Sequence, residues 1–187
     1  VHNFTSGTTT LLTLTESHTD SDFTSPTTLA INSSGDKLFY LDNDALVSVD
    51  TDNGALSIIS NRDGNLIIKN PKDLVIDTVS EKAWLTDANL NAVIEISLID
   101  GSRRIITDST TGSGPLMQSP NNLAFDSDNN RLLVADQSLN IVFTISLENG
   151  NREYFLSNRY GHDPQFESPS DVAIDANNHI AYISDNN

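Results

Sequence analysis

Apolar positions along the chain recur on a long period and not on that of a helix. Four triplets, Leu29-Ala30-Ile31, Leu74-Val75-Ile76, Leu123-Ala124-Phe125 and Val172-Ala173-Ile174, are each followed by a second, mainly apolar run: Leu38-Phe39-Tyr40-Leu41, Ala83-Trp84-Leu85-Thr86, Leu132-Leu133-Val134-Ala135 and Ala181-Tyr182-Ile183-Ser184. A proline precedes every triplet (Pro26, Pro71, Pro120, Pro169), and 16 residues after it an aspartate closes the second run (Asp42, Asp87, Asp136, Asp185). Short apolar runs bounded by turn residues read as strands. Proline suits the start of a strand, because it cannot donate to a ladder and biases the residue before it to extended geometry. In the first whole unit the pattern predicts strands over Leu29 to Asn32, Leu38 to Leu41, Ala45 to Asp50 and Leu56 to Ser60. Ser33-Ser34-Gly35-Asp36 is a turn by its chemistry, and Asn53-Gly54 predicts a two-residue hairpin turn with positive φ at both positions. The runs are nearly continuous, not alternating, which predicts sheets covered on both faces.

The unit repeats with proline-to-proline spacings of 45, 49 and 49. Asp100-Gly101 and Asn149-Gly150 fall where Asn53-Gly54 falls, and an apolar residue precedes each proline by three positions: Phe23, Ile68, Met117 and Phe166. Gly7 lies 19 residues before Pro26, as Gly101 does before Pro120 and Gly150 before Pro169. Residues 1–25 are therefore expected to end a preceding unit, with Thr8 to Thr15 as its last strand. Residues 26–70, 71–119 and 120–168 form whole units, and 169–187 the first half of another. Four short strands per unit at this period define a β-propeller blade. The expected fold class is all-β, a propeller of four-stranded antiparallel blades, in one partial domain over residues 1–187.

Charge and composition then narrow the function. With 26 acidic against 10 basic side chains the net charge is -16, which repels phosphate backbones and anionic membranes and argues against a nucleic-acid partner. No cysteine is present, so disulfides and thiolate metal sites are excluded. No apolar run approaches the ~20 residues of a membrane span. Asn3-Phe4-Thr5 and Asn32-Ser33-Ser34 match the glycosylation pattern. Such short matches arise by chance in a chain this rich in Asn, Ser and Thr; it is the acidic surface, the lack of cysteine and the propeller repeats that suit an extracellular or periplasmic setting. Asp50-Thr51-Asp52-Asn53-Gly54 opens like a calcium loop, but Asn61 stands where the closing glutamate belongs. His2, His18, His162 and His179 show no metal-ligand spacing.

Ala83-Trp84-Leu85-Thr86-Asp87, Ala92-Val93-Ile94-Glu95-Ile96 and Asp100-Gly101-Ser102-Arg103-Arg104 together resemble the YWTD-type repeat. Pro169-Ser170-Asp171-Val172-Ala173-Ile174-Asp175 and Ala181-Tyr182-Ile183-Ser184-Asp185 are similar to the NHL repeat and to SMP-30/gluconolactonase and strictosidine-synthase-like propellers. The resemblance covers nearly the whole chain. It implies a six-bladed ring of which this chain forms about four blades, with ligands or metals at the channel mouth on the rim shared by the prolines and aspartates. For the four repeated aspartates, strand-end capping of backbone N–H groups is the expected role.

Two functions stay open. One is a binding or scaffold module that presents its loop rim to a protein, glycan or small ligand. The other, implied by the SMP-30 resemblance, is a lactonase needing a divalent cation such as calcium on oxygen ligands. Thr27, Lys72, Asn121 and Ser170 occupy one candidate register, in which only Asn121 suits a metal. The next register holds Thr28, Asp73, Asn122 and Asp171, and Asp73, Asn121 and Asp171 are the candidate metal ligands. Arg159, Tyr160 and His162, ahead of Pro164, form a chemically varied loop patch that could meet a partner. Because a blade buries its faces only against neighbours, an open array is expected to associate with itself or with further blades.

Overall fold

The computed structural model describes residues 2–3, 8–9, 26–61, 66–157 and 166–186. Among these residues, apart from one short 3-10 turn over Ser127–Asn129, every element is a strand. Strands β1 (His2–Asn3) and β2 (Thr8–Thr9) form a small hairpin. Blade one contains β3 (Pro26–Ile31), β4 (Lys37–Asp42), β5 (Ala45–Asp50) and β6 (Leu56–Ser60). Blade two contains β7 (Pro71–Asp77), β8 (Lys82–Asp87), β9 (Ala92–Ser97) and β10 (Arg103–Thr107). Blade three contains β11 (Pro120–Asp126), β12 (Arg131–Asp136), β13 (Ile141–Ser146) and β14 (Arg152–Ser157). Strands β15 (Pro169–Asp175) and β16 (Ile180–Asp185) open blade four. Each whole blade is an antiparallel meander in chain order, and successive blades pack through their first strands, β3 on β7, β7 on β11 and β11 on β15. The chain has the β-propeller fold.

The core lies between blades. Phe39, Leu41 and Leu46 of blade one meet Leu74, Leu85, Ile94 and Ile96 of blade two. Trp84 and Val93 of blade two meet Leu132, Val134 and Phe143 of blade three, and the Trp84 and Phe125 rings lie 4.8 Å apart. Leu133 and Val142 pack with Val172 and Ile183 of blade four. The apolar residue ahead of each proline closes these seams: Ile68, Met117 and Phe166 are all buried. Phe23 lies outside the described residues.

Burial on both faces holds for the second and third strands of blades two and three and for the third strand of blade one, which are nearly continuous in buried residues. It fails for the first strand of blade one, where Leu29 and Ile31 are 63% and 58% exposed. Both project from the face opposite Ala30, which packs toward blade two. Tyr182 of blade four is 58% exposed in the same way, opposite Ala181 and Ile183.

Two local expectations change. The first strand starts at the proline itself, because Pro26 pairs with Asp42, Pro71 with Asp87, Pro120 with Asp136 and Pro169 with Asp185 across a bulge that follows each proline. The Asn53-Gly54 hairpin is a four-residue loop: the Asp50 N–H donates to the Ala55 carbonyl and the Gly54 N–H to the Asp50 carbonyl, both at 2.9 Å. Gly54 takes φ 75°, while Asn53 is not among the residues of positive φ. The Asp50 carboxylate accepts the N–H groups of Asp52 and Asn53, which holds the loop in a right-handed turn before the glycine.

Candidate functional site

The four prolines and four aspartates share one rim, because β3 and β4 and their counterparts run antiparallel with proline opposite aspartate. The aspartates hold the loops of that rim together. Asp87 accepts the N–H groups of Lys69 (2.6 Å) and Asn70 (3.1 Å) on one oxygen and those of Asn89 (2.9 Å) and Leu90 (3.0 Å) on the other. Asp136 does the same for Gln118, Ser119 and Leu139, and Asp185 for Glu167 and Ser168. Asp42, fully buried, accepts the Asn43 amide. Asp87 and Asp136 thus tie the loop that brings the chain into a blade to the turn at the end of its second strand, and Asp185 holds the entering loop.

The bulge after each proline places Thr28, Asp73 and Asp171 in one register, facing Leu41, Thr86 and Ser184 respectively. Asp73 joins three blades: one oxygen accepts the Thr28 hydroxyl (3.2 Å) and its own neighbour Leu74 N–H (2.8 Å), the other the Leu123 N–H (3.0 Å). Burial pushes its pKa up, against the pull of these donors, and the charge of Asp171 adds to the rise. Asp171 accepts the Val172 N–H. Asn121 gives its backbone carbonyl to the Thr86 hydroxyl, while the amides of Asn121 and Asn122 make no hydrogen bond to described residues. Among the described residues no three His, Cys, Asp or Glu side chains gather as a metal-binding group. Arg159, Tyr160 and His162 lie outside the described residues.

Two arginines that sequence reasoning passes over build the outer edge of the rim. Arg103, whose side chain is 1% exposed, enters the loop that leaves blade one. It donates to the Asp44 carboxylate (2.5 Å), Ser60 Oγ (2.8 Å), the Leu66 and Asn61 carbonyls (2.8 and 2.7 Å) and the Asp44 carbonyl. Arg152 enters the loop leaving blade two, donating to the carbonyls of Pro115 (2.7 Å), Asp108 (2.8 Å) and Thr111 (3.0 Å) and to the Thr107 hydroxyl. Burial lowers its pKa, and the charge of Asp108 opposes that. Each arginine follows its turn glycine by two positions, and the glycines themselves press on the preceding blade. A Cβ on Gly101 would stand 2.0 Å from the Ile59 carbonyl oxygen, and one on Gly150 would stand 2.1 Å from that of Ile106. The recurring Gly-x-Arg is the signal that could have revealed this grip. Arg104, the arginine of the YWTD-like stretch, instead pairs across strands with Glu95, which also takes the Trp84 indole N–H and the Lys82 ammonium. Burial alone would raise the Glu95 pKa; Arg104, Trp84 and Lys82 outweigh it and hold it low.

The loops so fixed enclose two open clefts on the proline side. One of about 460 Å³ lies between blades one and two, lined by Thr27, Asn43, Asp44, Ile67, Lys69 and Asn70 among others. The other, about 480 Å³, is lined by Pro115, Leu116, Ser138, Leu139, Ile141, Tyr154 and Ser157.

This architecture is the β-propeller fold, and solved structures share it. The chain is similar to a chain in the nidogen/laminin complex (15% identity, TM-score 0.68, covering 86% of this chain and 56% of that one). It is also similar to catalytically inactive virginiamycin B lyase from Staphylococcus aureus with quinupristin (14% identity, TM-score 0.62, covering 86% and 49%). A third is an auxiliary nutrient binding protein from Bacteroides thetaiotaomicron VPI-5482 (10% identity, TM-score 0.62, covering 84% and 44%). The chain spans about half the length of these structures. At such identities the likeness concerns the fold. No family model matches the sequence, and no curated protein sequence matches it. No helix among the described residues is long and apolar enough to cross a membrane.

Proposed function

We propose that the chain is a ligand-binding β-propeller module that presents its proline-side rim to a small molecule, a glycan or a protein. The observation that carries this reading is how the rim carboxylates are used. Asp87 and Asp136 accept backbone N–H groups, so they fix loops, and the loops they fix border clefts of ligand size. A scaffold with its loops pinned in advance loses little freedom on binding. The acidic composition supports an extracellular or periplasmic setting. The exposed Leu29, Ile31 and Tyr182 faces support packing against further blades of a six-bladed ring.

The test is a fragment screen by NMR with amide shifts mapped on the protein. Binding is expected at the loops around Asn70, Ser119 and Ser168. The competing lactonase reading places a divalent cation near Asp73, Asn121 and Asp171. Lactone hydrolysis that disappears on chelation and in Asn121→Ala would overturn the binding reading.

A further inference from the structure

We infer that the cleft between blades one and two binds a small organic carboxylate with a branched apolar body, held by the Lys69 ammonium. This inference rests on the ligand-binding reading of the rim. What matters at the cleft is which charged groups already have partners. Asp42 is fully buried and takes the Asn43 amide, Asp44 is paired with Arg103 and with the Ile68 N–H, and both oxygens of Asp87 are filled by N–H donors. Each of these carboxylates is engaged by donors of the protein itself, whereas the Lys69 ammonium meets no acceptor among the described residues. Lys72, exposed one residue beyond Pro71, adds a second positive charge to the same side of the rim. In a chain of net charge -16 an unpaired ammonium facing a cleft is a local exception, and it selects an anion.

The lining decides the rest. Ile67, 60% exposed, presents a branched apolar surface beside Lys69. A bare inorganic anion would use the cation and leave Ile67 wet, while an alkyl carboxylate covers both. No aromatic ring lines the cleft, so it offers no platform on which a sugar or a base could stack. The wall that carries Lys69 is pinned: Asp44 holds the Ile68 N–H at 2.8 Å and Asp87 holds Lys69 and Asn70 by their backbones. Because Lys69 is held through its main chain, its side chain can be changed without unpinning the loop.

The experiment is an amide-detected NMR titration of the whole chain with 3-methylbutanoate and with its neutral isostere 3-methylbutanamide. The acid is expected to shift the Asn43, Ile67 and Lys69 amides saturably. The neutral amide, or the acid against Lys69→Gln, is expected to bind at least about tenfold more weakly, as for loss of a charge-assisted hydrogen bond. Equal binding of acid and amide, or unchanged binding to Lys69→Gln, would overturn the inference. Shifts confined to the cleft at Leu116 and Tyr154 would overturn the site and leave the ligand-binding reading standing. Silence over the entire rim, from these probes and from the fragment screen alike, would overturn both.

Discussion

Arg103→Met removes the guanidinium that locks blade two onto blade one, and its effect can be estimated from what remains. The Asp44 carboxylate, 10% exposed at the side chain, would keep the Ile68 N–H but lose its ionic partner. The Ser60 hydroxyl and the carbonyls of Asp44, Leu66 and Asn61 would lose their donor. Removing one member of a buried ion pair costs about 3–5 kcal/mol, chiefly because the other charge is left uncompensated. For a domain of this size that corresponds to a fall in Tm of roughly 6–20 °C. Asp44→Asn added to Arg103→Met should recover part of the loss, with a coupling energy of roughly 0.5–3 kcal/mol, since the stranded charge is then gone. Urea denaturation measures both, followed by far-UV dichroism and by fluorescence of Trp84, the single tryptophan, buried between blades two and three. Because the lesion lies at the seam of blades one and two, dichroism is expected to fall before Trp84 is exposed. The reasoning fails if Arg103→Met stays within about 1 kcal/mol of wild type, or if the two substitutions simply add.

Gly101→Ala should be far more damaging than Gly35→Ala in thermal melts. Both glycines have positive φ, worth about 1 kcal/mol, but only the Gly101 Cβ would strike a neighbouring carbonyl, at 2.0 Å, whereas Gly35 has nothing within 4 Å. Asp87→Ala strips the acceptor from four part-buried backbone N–H groups and should cost about 1–3 kcal/mol, since water can reach some of the freed donors; proteolysis near Asn70 would report the freed loop. Acid titration should show two opposite signs. Glu95 has a lowered folded pKa, so its contribution is present above its ordinary value of 4.5 and is lost as pH falls through the folded value; Glu95→Gln should flatten the acid loss. Asp73 has a raised pKa, so in the window just above 3.8 the folded state binds the extra proton and gains stability as pH falls; Asp73→Asn should steepen the acid loss.

The strands of this fold are legible wherever both faces are buried. Ala45–Asp50 and Leu56–Ser60 agree to the residue with the apolar pattern, the third strand because five of its six positions are buried. The first strand is less legible at its start, because Thr27, Thr28 and their counterparts are polar and join the sheet through a bulge that hydrophobicity does not mark. Gly54 announces a turn, but the loop length is set by the Asp50 carboxylate four residues earlier, which takes the Asp52 and Asn53 N–H groups. The capping role of the aspartates can be read from their place at strand ends. The register of Thr28, Asp73 and Asp171 can be read from the repeat, but not the bond from Leu123 to Asp73, 50 residues away, which depends on how the next blade is seated. Arg103 and Arg152 were hidden for the same reason. Their partners lie 37 to 59 residues back, and Leu56 interrupts the motif in blade one.

The grip of Arg103 and Arg152 has a direction: blades two and three each carry a plug, and the blade before carries the socket. A unit built in this way brings its own fastening. Loss of residues 71–119 would set Arg152 against the loop that now receives Arg103, with Ser60 standing where Thr107 stood. Duplication of the same stretch would present each new plug with a socket of its own kind. Blade number can therefore change through recombination in whole units without a new interface having to arise. Leu56, in the plug position of blade one, marks the place where a copied unit would need a different neighbour.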